Sequence, residues 1–329
     1  MIEVKGKANI VARVIADSIS EQGVRLTTWE VEYPRLIHSE LMTHRMFSRN
    51  AASSRAIPFA KMVEQLNGRP VRFGANQAGM QDTGDDHSVE MLIRCGDGSL
   101  VKGRAIDVWE AALDTAVEHA RTLSDAGYHK QITGRLTEPF QMMKTIITAT
   151  EVANFFWLRD DEAADPSIAE LARCMKDSYE QSNPVELKAG QYHLPYITKD
   201  WALNNQHYYL DESYSTEITL EQAIKVSCAR CAAVSYRNNG YGLEKSLEVY
   251  GRLLGSDKKH ASAFEHVATP IQKRQGNPMS ICGRLNLRLS PDTWEKGITH
   301  VDRNGNLWSG NFKGWIQYRK TIEGENYTG

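Results

Sequence analysis

Between Thr43 and Arg55 the chain concentrates three arginines, a histidine, an asparagine and three serines into thirteen residues, Thr43-His44-Arg45-Met46-Phe47-Ser48-Arg49-Asn50-Ala51-Ala52-Ser53-Ser54-Arg55. Arginine is planar, forked and permanently charged, so three held close together suit an oxyanion such as phosphate. Serine and asparagine supply the neutral donors that complete such a site. An apolar-patterned segment precedes the stretch and Ala56-Ile57-Pro58 closes it. A helix end running into a solvated polar loop satisfies the same composition. The order of the residues and their surroundings have to decide.

The charge balance narrows the choice. Lysine and arginine number 39 against 41 aspartates and glutamates, so no positive excess points to a nucleic-acid partner and any phosphate site must be local. The 329 residues suffice for one large or two ordinary domains with a sizeable core. The opening Met1-Ile2-Glu3-Val4-Lys5-Gly6-Lys7 lacks the apolar run of a signal peptide, and no stretch approaches the roughly 20 apolar residues of a membrane span. Five scattered cysteines suit a reducing compartment better than a disulfide scaffold. The expectation is a cytoplasmic, soluble protein without a nucleic-acid or membrane partner.

Residues 8–17 read as a strand. Arg25–Tyr33 reads as a second, with Thr27, Trp29, Val31 and Tyr33 alternating against Leu26, Thr28, Glu30 and Glu32. Pro34 suits a helix start, and Ile37, Leu41 and His44 share one face of that helix. An amphipathic helix is expected from about Arg104 to Ala126, stopped by Gly127. Further helices are expected over Gln141–Leu158, from Pro166, and over Leu243–Leu254, with a polar connector over 198–219. Phe73–Gln81 reads as a glycine-punctuated loop without dinucleotide-fingerprint spacing, and Asp82–Glu90 as an exposed acidic stretch. Residues 271–310 carry the loop signals of an insertion. Cys228-Ala229-Arg230-Cys231 lacks a second ligand pair for zinc, so its thiols read as small buried side chains and no metal is expected.

Four phrases together resemble the flavin-dependent thymidylate synthase family. The first is His44-Arg45 followed by Ser53 and Arg55, with Thr43 where that family has a further arginine. The second is Asn154-Phe155-Phe156-Trp157-Leu158-Arg159. The third and fourth are Ala229-Arg230-Cys231-Ala232-Ala233-Val234-Ser235-Tyr236, taken as a strand, and His260-Ala261-Ser262-Ala263-Phe264-Glu265-His266. In the common members the last two precede the His-Arg phrase. Here they follow it, which implies a circularly permuted order, and neighbouring termini make permutation physically easy.

The resemblance implies an α/β (α+β) fold, a mixed or antiparallel sheet flanked by long helices. Residues 1–220 would form the nucleotide- and flavin-binding part and 221–329 the part corresponding to the family's usual N-terminal segment, in one integrated catalytic domain. It implies reductive methylation of dUMP to dTMP with methylenetetrahydrofolate and NADPH through FAD, in a homotetramer with shared active sites. Glu40, Thr43, Ala51, Ser53, Ser54, Arg55, Arg135 and Arg159 then fall at the nucleotide. Ser53, Arg55 and Arg135 hold chiefly its phosphate, and Arg159 steadies charge on the pyrimidine. Arg159 and Ser53 are the catalytic candidates; the sequence shows no base beside Ser53, so it reads as a hydrogen-bonding contact in preference to a nucleophile. Thr43, His44, Arg45, Ala51, Thr148, Ala149, Thr150, Asn154, His260 and Ser262 fall at the flavin. Thr43, Ala51, Thr148 and Thr150 depart from the family's more polar or basic residues. This leaves open a flavoenzyme acting on another pyrimidine deoxynucleotide (dCMP, or a hydroxymethylation) and a catalytically silent nucleotide-binding relative.

Overall fold

The alternating stretch that begins at Arg25 becomes the middle strand of the largest sheet. In the computed structural model, which describes residues 2–53, 58–76, 87–202, 205–236, 240–255, 258–272 and 294–326, three strands open the chain. They are β1 (Ile2–Lys5), β2 (Val11–Ser20) and β3 (Arg25–Pro34). A 3-10 turn and the short helix α1 (His38–Leu41) lead to β4 (Ser48–Ala51). Next come α2 (Phe59–Val63), the hairpin β5 (Met91–Arg94) and β6 (Leu100–Gly103), and the long helix α3 (Ala105–Asp125). Then follow α4 (Lys130–Thr133), β7 (Met142–Ala149), α5 (Ala153–Arg159) and α6 (Pro166–Gln181). Strand β8 (Val185–Leu187) precedes a meander of β9 (Thr198–Ala202), β10 (Asn205–Tyr209) and β11 (Glu217–Ile218). Helices α7 (Leu220–Ala232) and α8 (Leu243–Leu254) follow. The short strands β12 (Ala268–Pro270), β13 (His300–Val301), β14 (Leu307–Ser309), β15 (Phe312–Lys313) and β16 (Trp315–Gln317) come last.

The main sheet runs β1-β2-β3-β7-β4 with antiparallel neighbours, and β8 joins the β2 edge in parallel at Ser18–Ser20. The result is a mixed α+β architecture with antiparallel sheets. Gly23, at φ +78°, allows the tight return between β2 and β3 that an L side chain would oppose. Trp29, Val31 and Tyr33 of β3 and Ile147 of β7 project to one face, where Ile168, Leu171, Ala172 and Met175 of α6 cover them. Each such large side chain contributes roughly 1.5–3 kcal/mol by leaving water. Helix α6 starts where it does because the Asp165 carboxylate accepts the N–H groups of Ser167 and Ile168, and Pro166 tolerates the first turn.

The opposite face of the sheet is more polar. Glu30 there receives Arg13 at 3.2 Å, Lys144 at 2.9 Å and the Tyr196 hydroxyl at 2.6 Å. Ile146 packs on that face with Cys231, Val234 and Ala263. A second core lies beyond, built by Ala223, Ile224, Val226 and Cys228 of α7 with Tyr208, Phe264 and Val267.

The strand at residues 25–33 and the helices from Pro166, over Leu243–Leu254 and over Arg104–Ala126 stand close to their expected bounds, while the strand expected at 8–17 runs three residues later, as Val11–Ser20, after the 3-10 turn Lys7–Asn9. Four expectations are corrected. Gln141–Leu158 is not one helix: Met142–Ala149 is a strand between β3 and β4, and only Ala153–Arg159 is helical. The phrase Ala229–Tyr236 is the end of α7 and a 3-10 turn, not a strand, because Thr219 and Gln222 form a capping box that launches a helix. The connector 198–219 is the β9–β10–β11 meander. The helix after Pro34 is also shorter than its pattern and leaves His44 in a turn. Residues 77–86 and 273–293 lie outside the described residues, so the acidic stretch from Asp82 and the insertion at 271–310 are described only in part.

Candidate functional site

The turn after α1 is drawn tight by its own backbone. The Thr43 N–H and hydroxyl both donate to the Glu40 carbonyl, at 3.0 and 2.7 Å, and the His44 N–H reaches the Leu41 carbonyl at 3.3 Å. Phe47 is buried beneath, edge-on to Phe155 of α5 with ring centroids 5.0 Å apart. His44 meets the same Phe155 ring edge-on at 4.8 Å. This aromatic cluster fixes α5 against the turn and carries Arg159, the last residue of α5, to two partners. Its Nε donates to His44 Nε2 at 2.9 Å, and its Nη1 pairs with the Glu40 carboxylate.

That geometry specifies the state of His44. Because Arg159 donates to Nε2, that nitrogen carries the lone pair and Nδ1 the proton. Burial, with the neighbouring charges of Arg159 and Arg49, pushes the His44 pKa down to about 4, so the ring is neutral near pH 7. Glu40, His44 and Arg159 therefore form a half-buried group in which one carboxylate and one neutral imidazole aim a guanidinium.

The two described arginines of the loop part ways. Arg45 is exposed. Arg49 turns inward and donates to the carbonyls of Leu41 and Met42, at 3.3 and 2.6 Å, closing the C-terminal end of α1. Arg55, with Ser54, lies outside the described residues. Ser53 is half-buried just past β4. Ala51 sits on β4 opposite Thr145 and packs against the main core. Arg135 lies on the segment Gly134–Phe140 beside α3, more than half exposed and 3.8 Å from Glu138; no described contact joins it to Arg159.

The residues that the resemblance assigns to a flavin divide into two groups. Arg45, Asn154, His260 and Ser262 are exposed and their side chains make no described hydrogen bond. Thr148 is fully buried, its hydroxyl shared between Thr28 Oγ1 at 2.7 Å and His266 Nδ1 at 2.8 Å. Ala149 is buried in the core, and Thr150 Oγ1 accepts the Lys313 N–H at 3.1 Å. Cys228 and Cys231 are fully buried, and burial raises both thiols well above their ordinary range.

Sequence reading missed the groups that join these phrases. Asn50 Nδ2 donates to the Cys231 carbonyl at 2.7 Å, tying β4 to α7. A buried chain runs Ser18–His193–Thr28–Thr148–His266 at 2.9, 2.7, 2.7 and 2.8 Å. Burial and the charge of Lys199 hold His193 neutral, and burial lowers His266 to about 3. Ser48, Asn311 and Gln317 form a further cluster beside β4, with Gln317 Nε2 reaching Asn311 at 2.7 Å and Ser48 at 3.1 Å. A polar residue inside an apolar strand pattern, such as Thr28 or Thr148, was the available signal. Its partner, 118 to 165 positions away, was not.

Comparison with protein-family models and with curated protein sequences returns no match to this chain.

Proposed function

We propose that the chain is a flavin-dependent enzyme of the thymidylate synthase type, with its segments in permuted order, converting dUMP to dTMP with methylenetetrahydrofolate and NADPH through FAD. One observation carries this reading: phrases far apart in the chain meet through direct hydrogen bonds. Arg159 donates to His44, Asn50 to Cys231, and Thr148 bonds His266, with Ser48 and Thr148 directly opposite on β4 and β7. A coincidental set of phrases has no reason to converge on one sheet edge.

FAD, when bound, supplies the hydride chemistry. Its donor set on this chain is Arg45, Asn154, His260 and Ser262, whose open polar groups suit an anionic, hydrogen-bonding cofactor. Thr43 adds no cation and its hydroxyl is engaged by the Glu40 carbonyl, which leaves the flavin side one charge weaker than the family pattern. Arg159, aimed by Glu40 and His44, is placed to steady negative charge developing on a pyrimidine, a contribution of the oxyanion-hole kind. Exposed Met46, Trp157 and Leu158 flank this group in the chain, and a second copy covering them would complete a shared site, as in a homotetramer.

The deciding experiment is the visible spectrum of purified protein with FAD, then with NADPH, followed by turnover assays with dUMP and dCMP. Binding and bleaching of the flavin with dTMP formation is expected. Bleaching with turnover of dCMP, or formation of a hydroxymethyl product, reassigns the pyrimidine chemistry. A protein that takes up no FAD and turns over neither nucleotide leaves a silent nucleotide-binding relative.

A further inference from the structure

A cavity of about 600 Å³ opens between the turn Lys7–Asn9, the segment Arg69–Phe73 and the N-terminal end of α3. It is built from parts that the proposed reaction does not use. Three cations line it, Lys7, Arg69 and Arg104, joined by His87; among the described lining residues there is no aspartate or glutamate, and the Asp107 carboxylate beside this helix end accepts the Arg104 N–H at 2.7 Å. Lys7 and Arg69 are exposed and make no described ion pair; Arg104 lies 3.6 Å from Asp107. In a chain whose net charge is −2, this is a concentrated local excess of positive charge.

The floor is apolar and firm. Val71, Phe73 and Ile106 form it. Phe73 meets Trp109 edge-on at 6.1 Å, Trp109 meets Phe140 at 5.1 Å, and Trp109 Nε1 donates to the Gly68 carbonyl at 3.2 Å. The backbone N–H groups of Ala105 and Ile106, which also line the cavity, have no acceptor among the described residues. In a 21-residue helix these orphan donors carry the positive end of the macrodipole. On the facing wall Ala8 holds left-handed backbone at φ +50°, as does its chain neighbour Asn9 at +60°. Such residues cost on the order of 1–3 kcal/mol each and cluster at ligand-holding turns. The volume lies within the roughly 300–1,000 Å³ of small-molecule sites.

We propose that this cavity binds a multiply charged organic anion with a flat apolar body, the aromatic end resting on Phe73 and Ile106 and the anionic end on Lys7, Arg69, Arg104 and the α3 terminus. The assignment is independent of the reaction proposed above. Isothermal titration calorimetry at low ionic strength tests it with four probes: ADP, phthalate, pyrophosphate and adenosine. The proteins are wild type and the variants Arg159→Ala, Arg69→Ser, Arg104→Ser and Phe73→Leu.

ADP or phthalate is expected to bind wild type and Arg159→Ala alike. Pyrophosphate and adenosine, each lacking one half of the recognised chemistry, are expected to bind at least tenfold more weakly. Each arginine variant is expected to lose about tenfold in affinity, as for one charge-assisted contact. ADP without phthalate binding specifies a phosphate source of charge, and the reverse a carboxylate. Because the two arginines are solvent-facing, their variants keep the fold, which the thermal midpoint checks. Absence of binding by both ADP and phthalate overturns the proposal. So does binding that Arg159→Ala abolishes, or binding that Arg69→Ser and Arg104→Ser leave unchanged.

Discussion

Arg159 shows how a residue's role depends on what aims it. An arginine closing an apolar helix is ordinarily a surface cap, yet here its guanidinium is half-buried between Glu40 and a neutral His44. Arg159→Ala is expected to lower turnover by on the order of 10²–10³ with the fold intact, as for a lost transition-state donor. A near-normal rate removes the assignment. His44→Gln, which keeps an acceptor for Nε, is expected to retain more activity than His44→Leu, which leaves that donor unpaired; the comparison is made as kcat against KM. Arg49 is the counterexample. The sequence groups it with Arg45 and Arg55, but its side chain closes α1. Nothing in the local pattern distinguishes a guanidinium that grips a ligand from one that grips its own backbone.

At the scale of elements, β7 explains both the main misreading and the assembly of the site. Apart from Lys144 its burial is unbroken, because Ile147 faces α6 while Ile146 faces Cys231 and Val234. A strand buried on both faces loses the period-two signal and looks like the start of the helix that follows. The run Thr145-Ile146-Ile147-Thr148, rich in β-branched residues, was the remaining hint. Thr148 links this strand to β3 and to the turn Ser262–His266. Thr148→Val keeps the shape but leaves Thr28 and His266 short of a partner. Chemical denaturation is expected to register a loss of about 1–3 kcal/mol. An unchanged midpoint would mean that water replaces the hydroxyl.

For the molecule as a whole, four histidines share a direction. His38 and His44 are lowered to about 4 and His266 to about 3, chiefly by burial, and His193 lies well below its ordinary value. A histidine with a folded pKa below its unfolded value of 6.5 binds more protons when unfolded. Its contribution is complete above 6.5 and is lost as pH falls toward the folded value. Stability is therefore expected to be flat above about pH 6.5 and to fall from there to pH 5, before most carboxylates titrate. The slope approaches about 1.4 kcal/mol per pH unit for each buried histidine. Urea midpoints across that window check it, and a flat profile would mean that the rings open to solvent. Assembly is expected to depend on the exposed apolar residues beside Arg159. Trp157→Glu with Leu158→Glu should shift sedimentation from an oligomer toward single chains, and activity should fall with it.

The local structure was legible in the sequence alone: the alternation of β3, the proline-led α6 and the bounds of α8. These depend on side-chain periods of 2 and 3.6 and on caps, which act over a few residues. Tertiary structure alone decided that β7 is a strand between β3 and β4 and that Arg49 serves the backbone while Arg159 faces Glu40. It also decided that Asn50 meets Cys231, 181 positions away. Such pairings follow from which faces must be buried together and which buried polar groups must find partners. Both are conditions on the whole chain, and neither leaves a mark at any one position.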